Sequence, residues 1–441
     1  MFVLVFALAL AFLGALGAVP LQQAQAYQLV DNSTYDSSVA QGETVYMCTD
    51  SQSRSVFPAA PSPDLEVQEV LVASSSNPCV TVNVQGASWW TDPYLSLQAV
   101  SPGTATITYQ ALLSDGTTSV GSFTVCVFEV NLGAKAFAAD VDGYYILYKG
   151  AKAVKPQIKG VSGVKWSSSN PAVAKVSSAG SISYKGLGSC VVTASFGTVA
   201  VSIPVECTYK KAYKAVVNGF ADMGTKLTYS QAKRMGSKYR DCSSFVSRCY
   251  WDTPLKRKLF AIGGSTGKTW ALTAADQAKW LNKQKKTVAL KAVATSKLLA
   301  GDTVHNVTGY AGINKRYRNI DHVMLYVGNG LMLTTGGWSE VGGTVGLRAY
   351  SPDNESIRFI GRPCAEPQLN LTKATLTKKK GKTHSVQLKV QWQAGKITWK
   401  SSNKKVATVS SKGKVTAKKK GKATITAKVA GKTYKCKVTV K

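Results

Sequence analysis

The run Asp241-Cys242-Ser243-Ser244-Phe245-Val246 carries the clearest chemical content in this chain. It follows a Gly/Lys-rich loop and opens an apolar periodicity, Phe245, Val246, Cys249 and Tyr250, that predicts a helix with the cysteine as its first residue. A thiol there faces unpaired backbone N–H groups and the positive end of the helix dipole. Both favour the thiolate, which is the nucleophilic form. About eighty residues on, Asp321-His322-Val323-Met324-Leu325-Tyr326-Val327 reads as a strand closed by an Asn329-Gly330 turn. A helix-borne cysteine and a strand-borne histidine supply a nucleophile and a base for acyl transfer.

His322 has few rivals, because the chain holds three histidines. His384 lies among lysines and reads as a surface residue, and His305 reads as a packed or exposed polar residue. Cys249, two helical turns after Cys242, reads as a core or disulfide cysteine. A third polar residue must orient the imidazole, and counting from Gly328-Asn329-Gly330 places Thr334 there, with Thr335 beside it. A hydroxyl is a weaker orienter than an amide or a second imidazole. Three readings therefore stand: Thr334 orients the base, another residue such as Glu340 does so, or the site is impaired. No His/Cys cluster has metal-ligand spacing, so no metal or other cofactor is expected. The Gly263–Lys268 loop has the wrong spacing for a phosphate loop.

Residues 241–246 resemble the Asp-Cys-Ser-Gly/Ser-Phe/Leu-Val pattern of the NlpC-type cell-wall peptidase family. Residues 322–330 resemble its His-Val-Gly-Ile-Tyr-x-Gly-Asn-Gly pattern, with Met324 and Leu325 as substitutions. The family's Leu-x-x-Gly-Asp turn appears at Leu298 to Asp302, with Leu299 as the offset alternative, and a family tyrosine falls near Tyr229. The resemblance covers residues 212–363, about a third of the chain. It implies a papain-like α+β catalytic domain with Cys242 and His322 as the reacting pair. Thr334 takes the place where the family has His, Asn or Gln. It also implies a pocket shaped by Tyr229, Asp241 and Ser243, and cleavage of peptidoglycan stem peptides, typically after γ-D-glutamate and before a diamino acid. The related Cys/His amidases, which release the stem from muramic acid, are one alternative; their cysteine motif usually lacks the preceding Asp and the Ser-Ser/Gly pair. A catalytically impaired wall-binding adhesin or scaffold is the non-enzymatic one.

The elements around this site are of a different texture. At 441 residues the chain is expected to hold several domains. Trp166-Ser-Ser-Ser-Asn-Pro-Ala-Val-Ala-Lys-Val176 recurs, without gaps, as Trp399-Lys-Ser-Ser-Asn-Lys-Lys-Val-Ala-Thr-Val409, and a looser copy starts at Ser74 and resumes at Ala99 after an insertion holding Trp89 and Trp90. Short alternating strands and Ser-Asn or Gly-Lys turns predict antiparallel sandwiches, with each tryptophan between the sheets. These copies resemble bacterial Ig-like repeats of group 2, which implies spacer or wall-binding modules. The expected organisation is thus multidomain: a signal peptide at 1–26, Ig-like modules at 27–130, 131–207 and 366–441, and the α+β catalytic domain at 208–365. Within that domain, helices are predicted over 212–223, 241–252 and 273–282 and strands over 302–306, 321–327, 331–335 and 357–360.

Charge and cysteines place the chain. The net charge is +32, and residues 366–441 hold 21 lysines against one acid, Glu366. Met1 to Leu21 is almost wholly apolar and Ala24-Gln25-Ala26 is a signal-peptidase site, although no Lys or Arg precedes the apolar run. Export, with cleavage after Ala26 or with an uncleaved anchor as the alternative, points the basic module toward anionic cell-wall polymers and away from nucleic acid. A monomer is expected. Nine cysteines suit an exported chain with some disulfides, and position suggests Cys48 with Cys126, then Cys190 with Cys207.

Overall fold

The computed structural model describes residues 28–31, 38–50, 53–88, 91–137, 143–223, 225–250, 260–262, 269–290, 292–308, 315–335, 345–377 and 384–441. The expected signal peptide, Trp89 and Trp90, the Gly263–Lys268 loop and Glu340 lie outside them. The chain forms two compact units, residues 1–207 and 208–441.

Among its described residues the first unit is all β. Strands Thr44–Cys48, Val67–Ser75, Gly103–Leu113, Thr118–Asn131 and Gln157–Lys159 make one sheet, and Ser38–Val39, Arg54–Pro58, Val80–Gln85 and Tyr94–Ala99 make a second. Alternation along these strands turns Val56, Leu95, Leu97, Ile107, Phe123 and Val125 into one dry core. The long strand Thr118–Asn131 then serves two cores. Val125 and Val127 belong to the first, whereas Phe128 joins Ile182, Val192, Val201 and Ile203 in the next. Strand Gln28–Asp31 pairs antiparallel with Val199–Thr208 in the sheet of that second core.

The paired cysteines expected here are not bridged. Cys48 and Cys126 sit on adjacent strands of one sheet, not on two sheets to be stapled. The parallel register sets Cys126 opposite Tyr46 and Cys48 opposite Phe128, two residues apart along the strands. Cys190 and Cys207 are likewise diagonal neighbours, opposite Val205 and Gly188.

Among the described residues the α-helices lie in the second unit. These are α1 (Lys210–Met223), α2 (Cys242–Cys249) and α3 (Ala274–Lys283). They are followed by strands β1 (Thr287–Ala289), β2 (Thr303–Asn306), β3 (His322–Gly328), β4 (Leu331–Thr335), β5 (Val345–Ala349) and β6 (Ile357–Gly361). The sheet order is β1-β6-β2-β3-β4-β5, antiparallel throughout. Gly219 lets α1 close on the sheet: a Cβ there would lie 3.0 and 3.2 Å from Leu333 and Leu325 methyls and 3.4 Å from Cys249 Sγ. Met324, Tyr326, Met332 and Ile360 form a further apolar cluster. The 298–302 turn is held by an Asp302–Arg362 ion pair, bidentate at 2.8 and 2.7 Å. Gly301 has φ +90 there, and a Cβ would strike Ala212 at 2.5 Å, so this turn needs glycine on both counts. Among the described residues no helix is long and apolar enough to cross a membrane.

Candidate active site

Helix α2 begins as its sequence requires. Asp241 is the N-cap, with extended backbone (φ −113, ψ 175), and its carboxylate accepts from the Ser244 N–H at 2.6 Å. The Ser244 hydroxyl accepts in return from the Asp241 N–H at 2.9 Å, a reciprocal capping box with serine in the usual Glu/Gln place. Cys242 is thereby fixed as the first helical residue.

The cap is anchored from outside the helix. One Arg234 nitrogen donates to Asp241 Oδ2 at 3.1 Å and to Ser243 Oγ at 2.7 Å, and the other donates to the Ala271 carbonyl at 2.7 Å. Gln277, fully buried on α3, donates to the Ser243 carbonyl at 2.9 Å and to Ser247 Oγ at 3.1 Å. The expected pocket residues Asp241 and Ser243 therefore spend their polar atoms inside the protein. Tyr229 differs. Its short strand pairs in parallel with Tyr239–Arg240, it is half-buried, its hydroxyl accepts from Gln231 Nε2 at 3.3 Å near the surface, and burial, followed by the nearby Asp241 and Asp321 carboxylates, raises its pKa.

Cys242 packs against the start of β3. Its Sγ lies 3.9 Å from the Asp321 carbonyl, and the Val323 and Ser243 N–H groups favour its charged form. The sulfur thus straddles the backbone on either side of His322. His322 Nε2 lies 2.8 Å from Thr334 Oγ1 on β4. With Nε2–H donating to that hydroxyl, Nδ1 is left as the ring's acceptor nitrogen. Asp321, the residue before the base, accepts from the Thr308 N–H and hydroxyl at 3.0 and 3.1 Å.

The electrostatics depart from the thiolate expected from the helix start. Burial, then the adjacent Asp241 carboxylate, pushes the Cys242 thiol up to about 12. Burial brings His322 down to about 4, opposed by Asp321 and assisted by Arg348. The N-cap carboxylate supplies negative charge where the bare helix end would have supplied positive. Both shifts favour the uncharged forms, a thiol and a neutral imidazole.

Comparison with known proteins finds a family at one end of the chain. Residues 367–440 match the bacterial Ig-like domain of group 2. No curated protein matches the chain. Among solved structures, NlpC1 from Trichomonas vaginalis is 12% identical with a TM-score of 0.24, over 69% of this chain and 98% of that one. Drosophila N-cadherin EC1-4 is 11% identical with a TM-score of 0.15, over 91% and 100%. At such scores neither likeness bears on the site.

The Ig-like copy at 367–440 shares its inner contacts with the copy 233 residues earlier, as the constant spacing predicts. Trp399 packs over Gly413 and Trp166 over Gly180, where a Cβ would meet either indole at 2.8 Å. Both rings are half-buried at the edge of their cores, not enclosed between sheets. Ser401 and Ser168 donate to the Ala407 and Ala174 carbonyls at 2.7 and 2.8 Å.

Arg234 and Gln277 escaped the sequence reading. Nothing separates Arg234 from its basic neighbours. Gln277 did leave a trace, as a polar residue on the face shared by Ala274, Ala278 and Leu281.

Proposed function

We propose that the chain is an exported cysteine hydrolase that cuts peptide bonds in peptidoglycan stem peptides. The observation that carries this reading is the Cys242 thiol in the first turn of a helix, set against the strand start that holds His322, with one ring nitrogen held by Thr334. That arrangement has the parts of a nucleophile, a base and an orienter.

As Cys242 Sγ attacks the scissile carbonyl carbon, His322 Nδ1 takes the thiol proton. The Cys242 backbone N–H, unpaired at the helix start, donates to the oxyanion. The imidazolium then gives its proton to the leaving amine, and a thioester remains. His322 next deprotonates water, which attacks the thioester, releases the carboxylate and restores the thiol. Tyr229 is the hydroxyl left to contact the acyl side. Asp241 and Ser243 act by holding the helix start.

The finer reading is cleavage between γ-D-glutamate and a diamino acid by an α+β domain of papain-like type, at the wall, with the Lys-rich module drawn to anionic polymers. The Asp-Cys-Ser-Ser run favours this over a muramoyl-alanine amidase. Digestion of purified peptidoglycan by wild type and Cys242→Ala, with mass analysis, tests it. New amino termini on the diamino acid from wild type alone are expected. Free lactyl ends select the amidase, absence of products selects a non-catalytic wall protein, and equal products from both proteins overturn the nucleophile.

A further inference from the structure

Within the second unit, the Ig-like module and the end of α3 enclose an open groove of roughly 700 Å³. Trp392 and Trp399 line it, together with Lys285, Lys389, Lys396 and Lys412. All four lysines are exposed and both indoles are half-buried. Among the described residues none of the four lysines forms an ion pair. Glu366 is the one acid after Ala365, so the module holds almost no counter-charge of its own.

The rings are fixed in place. Trp399 rests on Gly413. Trp392 adopts φ 60, a left-handed conformation that a bulky side chain takes only when its surroundings impose it. The Arg362 guanidinium lies 5.4 Å from its ring centroid and is itself held by Asp302. The other aligned copy shows that the fold does not demand this charge. Trp166 repeats the packing of Trp399, but Ala179 stands where the groove has Lys412. Lys159 of that copy is neutralised by Glu129 at 3.2 Å.

We propose that this groove binds an anionic polysaccharide. The apolar C–H faces of pyranose rings would stack on the negative faces of the two indoles, and carboxylate or phosphate substituents would pair with the lysines. Fixed aromatic rings supply contact area at low entropic cost, and unpaired lysines supply steering. The groove deepens the reading of the Lys-rich module as drawn to anionic polymers, on which it rests, and is independent of Cys242 chemistry, so its test is binding and not cleavage.

The full chain is titrated with polygalacturonate, with phosphomannan, with neutral dextran and with poly-L-glutamate, read by indole fluorescence and repeated at rising salt. Binding of at least one charged polysaccharide, weakened by salt and about tenfold or more tighter than dextran or polyglutamate, is expected. Trp392→Ala and, separately, the surface variant Lys389→Gln/Lys396→Gln/Lys412→Gln are each expected to weaken it about tenfold. Lys432→Gln/Lys435→Gln, outside the groove, is expected to leave it within about twofold. Equal binding of polyglutamate reduces the groove to a plain cationic surface and overturns the proposal. So does binding of neither charged polysaccharide, or insensitivity to the triple lysine variant, whose exposed positions do not threaten folding.

Discussion

His305 and His322 occupy neighbouring antiparallel strands, with His305 opposite Val323 and His322 opposite Asn306. Both imidazoles meet a threonine hydroxyl, and burial drives both below the ordinary value, to about 3 and about 4. They differ in what the second nitrogen does. His305 Nδ1 is 3.0 Å from the Ala274 carbonyl at the start of α3, and Nε2 is 3.0 Å from Thr303 Oγ1, so each nitrogen is committed. Its ring also stands edge-on to Phe359 at 5.4 Å. His322 has one nitrogen held, by Thr334, and among the described residues no hydrogen-bond partner on the other. Two committed nitrogens make a rigid histidine; one free nitrogen leaves a histidine able to take a proton.

The widest separation should come from the reacting pair. Cys242→Ala and His322→Ala are expected to lower peptidoglycan cleavage by about 10³-fold or more with the fold retained, measured by product release and thermal melting. His305→Ala should do the reverse. It should cost about 2–4 kcal/mol of stability by denaturant titration, while the rate per folded molecule stays within about threefold. A His305 variant that melts normally but has lost cleavage would break the contrast. Thr334→Val is expected to lower kcat about five- to tenfold, as for loss of one hydrogen bond, with Thr334→Ser restoring most of it. A Thr334→Val enzyme with full activity would pass the orienting role to another group.

Acid supplies the smallest and most discriminating effect. Cleavage should rise with pH through about 4, as His322 loses its proton, and then stay level across neutrality. A thiolate–imidazolium pair would instead require a protonated histidine for the active form. Stability should also change with pH. Unfolded histidines bind a proton near 6.5 and the folded ones do not until about 4 and about 3. The unfolded state thus binds more protons in that window, and stability falls as pH drops from about 6.5 toward 3. His305→Gln should flatten that decline; an unchanged slope would show that His305 is not its source.

Much of this site was legible in the chain. Asp241 and Thr273 announce their helices as N-caps, and the expected helix and strand positions agree with the observed ones to within a few residues at each end. The count that places Thr334 beside His322 rests on the Asn329-Gly330 turn, whose register is local. What stayed hidden depends on distant contacts. Strand β5 reads Val-Gly-Leu-Arg-Ala, an alternation too short and too interrupted by glycine to stand out, and is a strand because β4 pairs with it. Arg234 matters only because folding brings it to Asp241 and Ser243. The resting charge of Cys242 was misjudged because helix position was weighed without burial and without the carboxylate that caps the same helix. The Cys48–Cys126 expectation failed for a related reason. Pairing depends on register, and strand composition does not fix a parallel register.

The neutral state of Cys242 has a consequence for its resistance to oxidation. Peroxide and alkylating agents attack thiolates, and a thiol held near 12 offers them almost none at neutral pH. The nucleophile is exposed as an anion only while a carbonyl is present to receive it. Such an enzyme should withstand iodoacetamide and dilute peroxide far longer than a protease with a standing thiolate. Its shelf life would then be set by unfolding, not by oxidation.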